Sequence, residues 1–140
     1  MIILASSSPR RIELLKTLYN DFKIIKPTFD ESLISKDDKD LALKESYEKG
    51  KSILNPTYFN DLIISADTIV RLNNKVYGKP KNKNEAITFL KELSNNTHEV
   101  ITGYSLFFKG KVISKQVVTY VTFNCLNEEQ IINYVNNEMV

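Results

Sequence analysis

Ser6, Ser7 and Ser8 stand directly before Pro9, Arg10 and Arg11, which puts hydroxyls and guanidiniums side by side. A short apolar run, 1–5, precedes them and residues with helical spacing follow, so they occupy a strand-to-helix junction. Pro9 suits the first helical position, where its missing N–H is not needed, with Ser8 as the N-cap. A helix N-terminus offers unpaired N–H groups and the positive end of a dipole to an anion. Arginine adds a planar fork that matches phosphate oxygens better than the point charge of lysine. The junction therefore reads as a cradle for a triphosphate or pyrophosphate, beside the plainer reading of a Ser-capped helix with two solvated arginines.

Carboxylates supply the complementary chemistry. Asp67 follows the apolar run 62–66, where a strand end meets a sheet rim and ligands of open α/β sheets bind. There it can coordinate a metal such as Mg²⁺, accept a proton from attacking water, or simply cap a turn. Glu31, in a loop after a strand, is a second metal-facing candidate or a solvated loop acid. Lys79, between Gly78 and Pro80, sits in a restrained turn that can aim its ammonium at a phosphate, although the GxxxxGKS/T spacing of a P-loop is absent. Lys49 and Lys51 read as surface lysines. His98 has no partner at metal-ligand spacing and reads as a structural hydrogen-bonding residue. Cys125, the one cysteine, has no disulfide partner, fits a reducing compartment and reads as a buried strand residue.

These residues need a scaffold, and the hydrophobic pattern indicates one. Residues 1–5 read as a buried strand, and Ile12, Leu15 and Tyr19, widened by Leu14 and Leu18, mark the inner face of a first helix. Strand character over 22–26 ends at Pro27. A helix over 38–54 would turn Leu43, Tyr47 and Leu54 inward, with Gly50 weakening it. The apolar residues 62–66 form a buried strand, continued by 68–72 into an Asn73-Asn74 hairpin returning through 75–77. Asn82 and Glu85 resemble a capping box before a helix carrying Ala86, Leu90 and Leu93. The stretches 99–108 and 112–123, separated by Lys109-Gly110-Lys111, read as a long antiparallel pair. Asn127 and Gln130 cap a last helix with Ile131, Tyr134 and Val135 inward. Together these predict an α/β (α+β) domain with a mixed, twisted sheet flanked by helices.

Bulk properties narrow the function. A chain of 140 residues, 42% hydrophobic and 26% charged, is the size and composition of one globular domain. No apolar run approaches the roughly 20 residues needed to cross a bilayer, and residues 1–5 are too short for a signal peptide, so a cytoplasmic location and no membrane partner are expected. A net charge of only +2 argues against nucleic acid as a partner and for local anion binding.

In combination the motifs LASSSPRRIELL, FDES, SADTIV, YGKP, EAITFLKELSNNTHEVITGY and VTFNCLNEEQIINYV resemble, in order and over essentially the whole chain, the Maf family of nucleoside triphosphate pyrophosphatases. The resemblance implies a Maf/ITPase-like fold over 1–140 and hydrolysis between the α- and β-phosphates, releasing a monophosphate and pyrophosphate, with Mg²⁺ or Mn²⁺ as cofactor. By that analogy Asp67 activates water, Ser8, Arg10, Arg11 and Lys79 contact the phosphates, and Glu31 joins Asp67 at the metal. Lys49, in an EKG that looks like the family's EKA, becomes a further phosphate contact. Arg10 and Thr68 stand at positions that vary with substrate, and Arg-Arg with Asp-Thr looks like the branch acting on dTTP and UTP rather than 7-methyl-GTP.

Relatives usually continue into a further segment carrying a glutamine for base selection, which by this comparison the chain lacks. That departure motivates an alternative: a catalytically silent nucleotide-binding or cell-division regulatory protein. A 7-methyl-GTP pyrophosphatase is the other. A homodimer is an assembly the resemblance leaves open.

Overall fold

The N-terminal apolar run becomes β1 (Ile2–Ala5), buried from Ile3 onward. A computed structural model describes the backbone of residues 1–138 and the side chains of residues 1–137; residues 139 and 140, part of the expected domain, lie outside them. β1 is parallel to β2 (Lys23–Ile25) on one side and to β3 (Leu62–Leu72) on the other, with Ala5 opposite both Ile25 and Ser65. A parallel strand covered on both faces reads as a continuous apolar run, which is why its sequence does not alternate. β4 (Lys75–Tyr77) pairs antiparallel with β3. With β5 (Thr97–Phe108) and β6 (Lys111–Thr122) the sheet has, among the described residues, six strands, in the order β2-β1-β3-β5-β6 with β4 off that path on β3, so it is mixed, as the sequence indicates. The α-helices of the described residues are α1 (Pro9–Lys16), α2 (Leu41–Lys51), α3 (Lys83–Leu93) and α4 (Glu128–Glu138).

Local chemistry accounts for most boundaries. Asn73 and Asn74 take φ of 50° and 67°, the paired positive values of a tight hairpin turn between β3 and β4. Lys109 and Gly110, at 49° and 77°, join β5 to β6, and two residues can link only antiparallel neighbours. Asn82 Oδ1 accepts the Glu85 N–H at 2.8 Å to start α3. Asn127 and Gln130 cap α4 reciprocally, at 2.8 and 3.0 Å.

The chain divides into two compact units, the first taking Met1–Thr68 with Thr102–Val117 and the second Ile69–Ile101 with Val118–Val140. The first is centred on Ile3, Ala5, Ile53, Ile63 and Phe107. In it α2 docks through small residues: Ser46 Oγ meets Ser105 Oγ at 2.9 Å, and Ser65 Oγ donates to the Ser46 carbonyl at 2.6 Å. A Cβ on Gly103 would strike the Ala42 carbonyl, and one on Gly50 the Phe107 ring. In the second unit Ala86, Leu93, Ile131 and Val135 are buried and Tyr77 packs edge-on to Phe89.

Several inner faces differ from expectation. α2 is shorter than 38–54; it buries Leu41, Ala42, Glu45, Ser46 and Gly50 and leaves Leu54 exposed beyond its end. Of the residues to which apolar periodicity points, Tyr47 does pack on the core, stacking on Phe107 with ring centroids 5.8 Å apart, while the closest approach of the helix to the sheet is made by its smallest residues. α1 buries none of its residues, and Leu14, Leu18 and Tyr19 are exposed. Tyr134 is exposed on α4. Cys125 is exposed in the loop before α4 rather than buried in a strand. His98 is buried but packs edge-on to Phe123, and its Nδ1 has no hydrogen-bond partner among the described residues.

Candidate active site

Asp67 was expected at a strand end, yet β3 runs on to Leu72. It is the neighbour that ends: β1 stops pairing at Ala5, opposite Ser65, and its chain turns off through Ser6–Ser8. Asp67 therefore lies two residues beyond the last β1 partner, a rim position within a continuous strand. It is only 9% exposed.

Three other elements of the first unit send charged groups to it. Lys49, near the end of α2, donates from Nζ to Asp67 Oδ1 at 3.0 Å and pairs with Glu31 Oε1 at 2.6 Å. Its side chain is mostly buried, so it is not the surface lysine its helical position suggests. Glu31 opens a 3₁₀ turn, Glu31–Leu33, fixed by Asp30 Oδ1 accepting the Ser32 N–H at 3.0 Å. Glu45 lies one turn before Lys49, a spacing that puts both on one helix face. Oxygens from Glu31, Glu45 and Asp67 all lie within 4.8 Å of one another. Glu45 is 1% exposed, and among the described residues its Oε1 has no hydrogen-bond partner. Burial pushes its carboxyl pKa up, the Glu31 charge adds to that, and Lys36 and Lys49 oppose it.

Arg11 reaches the same rim from α1. Its Nη2 donates to Thr68 Oγ1 at 3.0 Å, and Thr68 Oγ1 in turn meets Thr102 Oγ1 on β5 at 3.1 Å. Loss of solvent lowers the guanidinium pKa, while Glu31 acts to raise it. Ser8 acts as the N-cap: its Oγ accepts the Arg11 N–H at 3.4 Å, and its own N–H donates to the buried Ser6 at 2.9 Å. Arg10 is exposed on α1. Lys79 belongs to the second unit and is exposed on the turn after β4. Within the first unit the structure thus brings together Glu31, Lys49 and Asp67, with Arg11 at Thr68.

Sequence reasoning missed Glu45 and Thr102. Glu45 was detectable: it is the one acid among the small and apolar residues of the buried α2 face, four positions before Lys49. Thr102 carried no signal of its own, since only strand pairing places it beside Thr68.

The donor set fits a hard divalent cation. All three groups offer oxygen, the preferred ligand of Mg²⁺ and Mn²⁺. Mg²⁺–oxygen distances of about 2.0–2.1 Å put opposite ligand oxygens about 4.2 Å apart, so oxygens within 4.8 Å of one another need draw in by only a few tenths of an ångström to share such an ion. The unpartnered oxygen of a buried carboxylate is the group such an ion would satisfy.

Residues 1–140 match the family described as Maf-like protein. The chain belongs to the Maf family. A relative from Thermosipho africanus (strain TCF52B) is 45% identical over 135 residues, covering 96% of this chain and 69% of its own. Another from Pyrococcus abyssi (strain GE5 / Orsay) is 41% identical over 138 residues, covering 99% and 73%. A third, from Clostridium perfringens (strain ATCC 13124), is 39% identical over 144 residues, covering 97% and 73%. All three relatives are named dTTP/UTP pyrophosphatase. Within this Maf chain no described helix is long and apolar enough to cross a membrane.

Proposed function

We propose that the chain is a metal-dependent nucleoside triphosphate pyrophosphatase acting on dTTP and UTP. The observation that carries this is the meeting of Asp67, Glu31 and Lys49 in one unit whose Thr68 holds Arg11. The names of the relatives point to the same substrates.

In this reading one carboxylate oxygen of Asp67 takes the proton of a water aligned on the α-phosphorus. The water oxygen forms the new P–O bond, the bond to the bridging α–β oxygen breaks, and pyrophosphate leaves with that electron pair. Phosphoryl chemistry of this kind depends on positioning and charge neutralisation more than on a protein nucleophile. Arg11 and the N–H groups at the start of α1 neutralise phosphate oxygens, and Ser8 orients that helix end by capping it. Arg10, exposed beside Arg11, and Thr68 bias the choice of base. Glu31 and Asp67 would hold a divalent cation, which would supply further charge neutralisation at the phosphates. Lys79 and Lys49 serve as phosphate contacts by family resemblance alone. The reading also keeps a cytoplasmic location, no nucleic-acid or membrane partner, and a homodimer as an open assembly.

The direct experiment incubates the folded chain with dTTP, UTP or 7-methyl-GTP plus Mg²⁺ or Mn²⁺ and measures pyrophosphate. We expect dTTP and UTP to exceed 7-methyl-GTP by more than tenfold in kcat/KM, about 1.4 kcal/mol of transition-state binding. Nucleotide binding without pyrophosphate release would support the catalytically silent alternative and overturn the enzymatic reading.

A further inference from the structure

We propose that Glu45 is the third carboxylate of the divalent-cation site formed with Glu31 and Asp67, and that the Lys49 ammonium competes with the cation for Glu31 and Asp67. The inference deepens the reading of the site as metal-assisted.

Glu45 has no other evident task. It projects from the docked face of α2, where its neighbours Ala42, Ser46 and Gly50 are chosen for smallness. A carboxylate there is 1% exposed with an oxygen lacking any partner among the described residues, an arrangement that burial alone makes unfavourable. Its ligand oxygen nevertheless lies within 4.8 Å of those of Glu31 and Asp67, so the buried acid faces the other two. Three carboxylates clustered this closely repel one another unless a cation stands among them.

Lys49 is the cation that pairs with two of the three. Its Nζ bonds Glu31 at 2.6 Å and Asp67 at 3.0 Å, and no bond from it to Glu45 accompanies them. One ammonium against three carboxylates leaves negative charge for a divalent ion to neutralise. An ammonium carries its charge on a flexible four-carbon stem, so displacement from the acids frees it to meet a substrate phosphate. Metal entry and phosphate binding are then coupled through one side chain.

The test titrates Mn²⁺ alone into the full chain, without nucleotide, and follows free Mn²⁺ by electron paramagnetic resonance. Glu45→Gln keeps the volume and removes the charge, and we expect it to weaken Mn²⁺ binding by about tenfold or more, at least the loss seen when outer-shell partners of metal ligands are changed. If Glu45→Gln does not fold, Glu45→Asp retains the charge but withdraws it by one methylene and should weaken binding several-fold with unchanged circular dichroism. Lys49→Met should tighten Mn²⁺ binding because the competing cation is gone. A Kd within twofold of the unsubstituted chain for the Glu45 variant that folds would make Glu45 a bystander. Weaker binding by Lys49→Met would overturn the competing role. Absence of Mn²⁺ binding by the unsubstituted chain would overturn both, and a pyrophosphate assay on the same sample tells that failure apart from failure of the enzymatic reading.

Discussion

Asp67 and Lys49 show how a residue's chemistry is set by its neighbours rather than by its type. An aspartate in a strand is unremarkable until the adjacent strand stops short of it, as β1 does at Ala5. A lysine on a helix is surface until the helix is close enough for a four-carbon stem to reach two acids, as here. Because the Asp67 carboxylate is assigned the water's proton, Asp67→Asn should lower pyrophosphate release by about 10²–10⁴-fold with little change in melting temperature, read by initial rates and a thermal melt on one preparation. Retained rates would remove Asp67 from the mechanism.

At the scale of elements, the seat of α2 is the feature on which the site depends. Gly103 allows the Ala42 carbonyl to lie against β5, and Gly50 allows the helix to pass Phe107 and Ser65, where an added Cβ would come within 2.6 Å of Ser65 Oγ. Gly103→Ala meets backbone that cannot yield without moving the whole helix, so a destabilisation of about 3 kcal/mol is expected, the upper end for overpacking. Gly50→Ala meets side-chain atoms and gains up to about 1 kcal/mol of helix propensity, so its net cost should be smaller. Urea denaturation of both variants checks the order; Gly103→Ala should also lose activity, since α2 carries Lys49 and Glu45.

The second unit has its own tie between elements. Glu92 Oε1 on α3 receives Lys75 Nζ at 2.7 Å and the Tyr77 hydroxyl at 3.1 Å, both from β4. The Lys75 hydrogen bond holds the Glu92 carboxyl below its ordinary 4.5, and the Glu92 hydrogen bond raises Lys75 above its ordinary 10.5. A depressed carboxyl contributes stability above its unfolded value and loses it as pH falls through the folded one. A raised lysine contributes below its unfolded value and loses it as pH rises through the folded one. Glu92→Gln should therefore be less stable than the unsubstituted chain across the neutral range, with the gap closing below pH 4.5. The pair is exposed, so the gap should be small, and denaturation midpoints measured at several pH values will show its shape.

For the molecule as a whole, two compact units are built from a chain in which β3, β5 and β6 each contribute residues to both. Strands that continue from one unit into the other tie the order of each to the order of the other. A single cooperative unfolding transition is expected, with equal calorimetric and van't Hoff enthalpies. Two resolved transitions would show that the units melt separately. The net charge of +2 belongs to the same scale: it supplies no broad attraction for polyanions, and leaves triphosphate binding to the local groups at the rim.

Sequence by itself determined what is local. The Ser8 and Asn82 caps, the Asn127–Gln130 pair, the Asn73-Asn74 and Lys109-Gly110 turns and the apolar strands follow from backbone preferences within a few residues, and so were legible. The motif order marked the family. Tertiary structure decided what depends on distance between elements: that Ala42, Ser46 and Gly50 seat α2 beside Tyr47 while Leu54 stays exposed, that Lys49 is a bridge, that Arg11 rather than Arg10 holds Thr68, and that Glu45 is buried among the acids. The physical reason is that close packing selects small residues and charge pairing acts through space, and neither leaves a periodic trace along the chain.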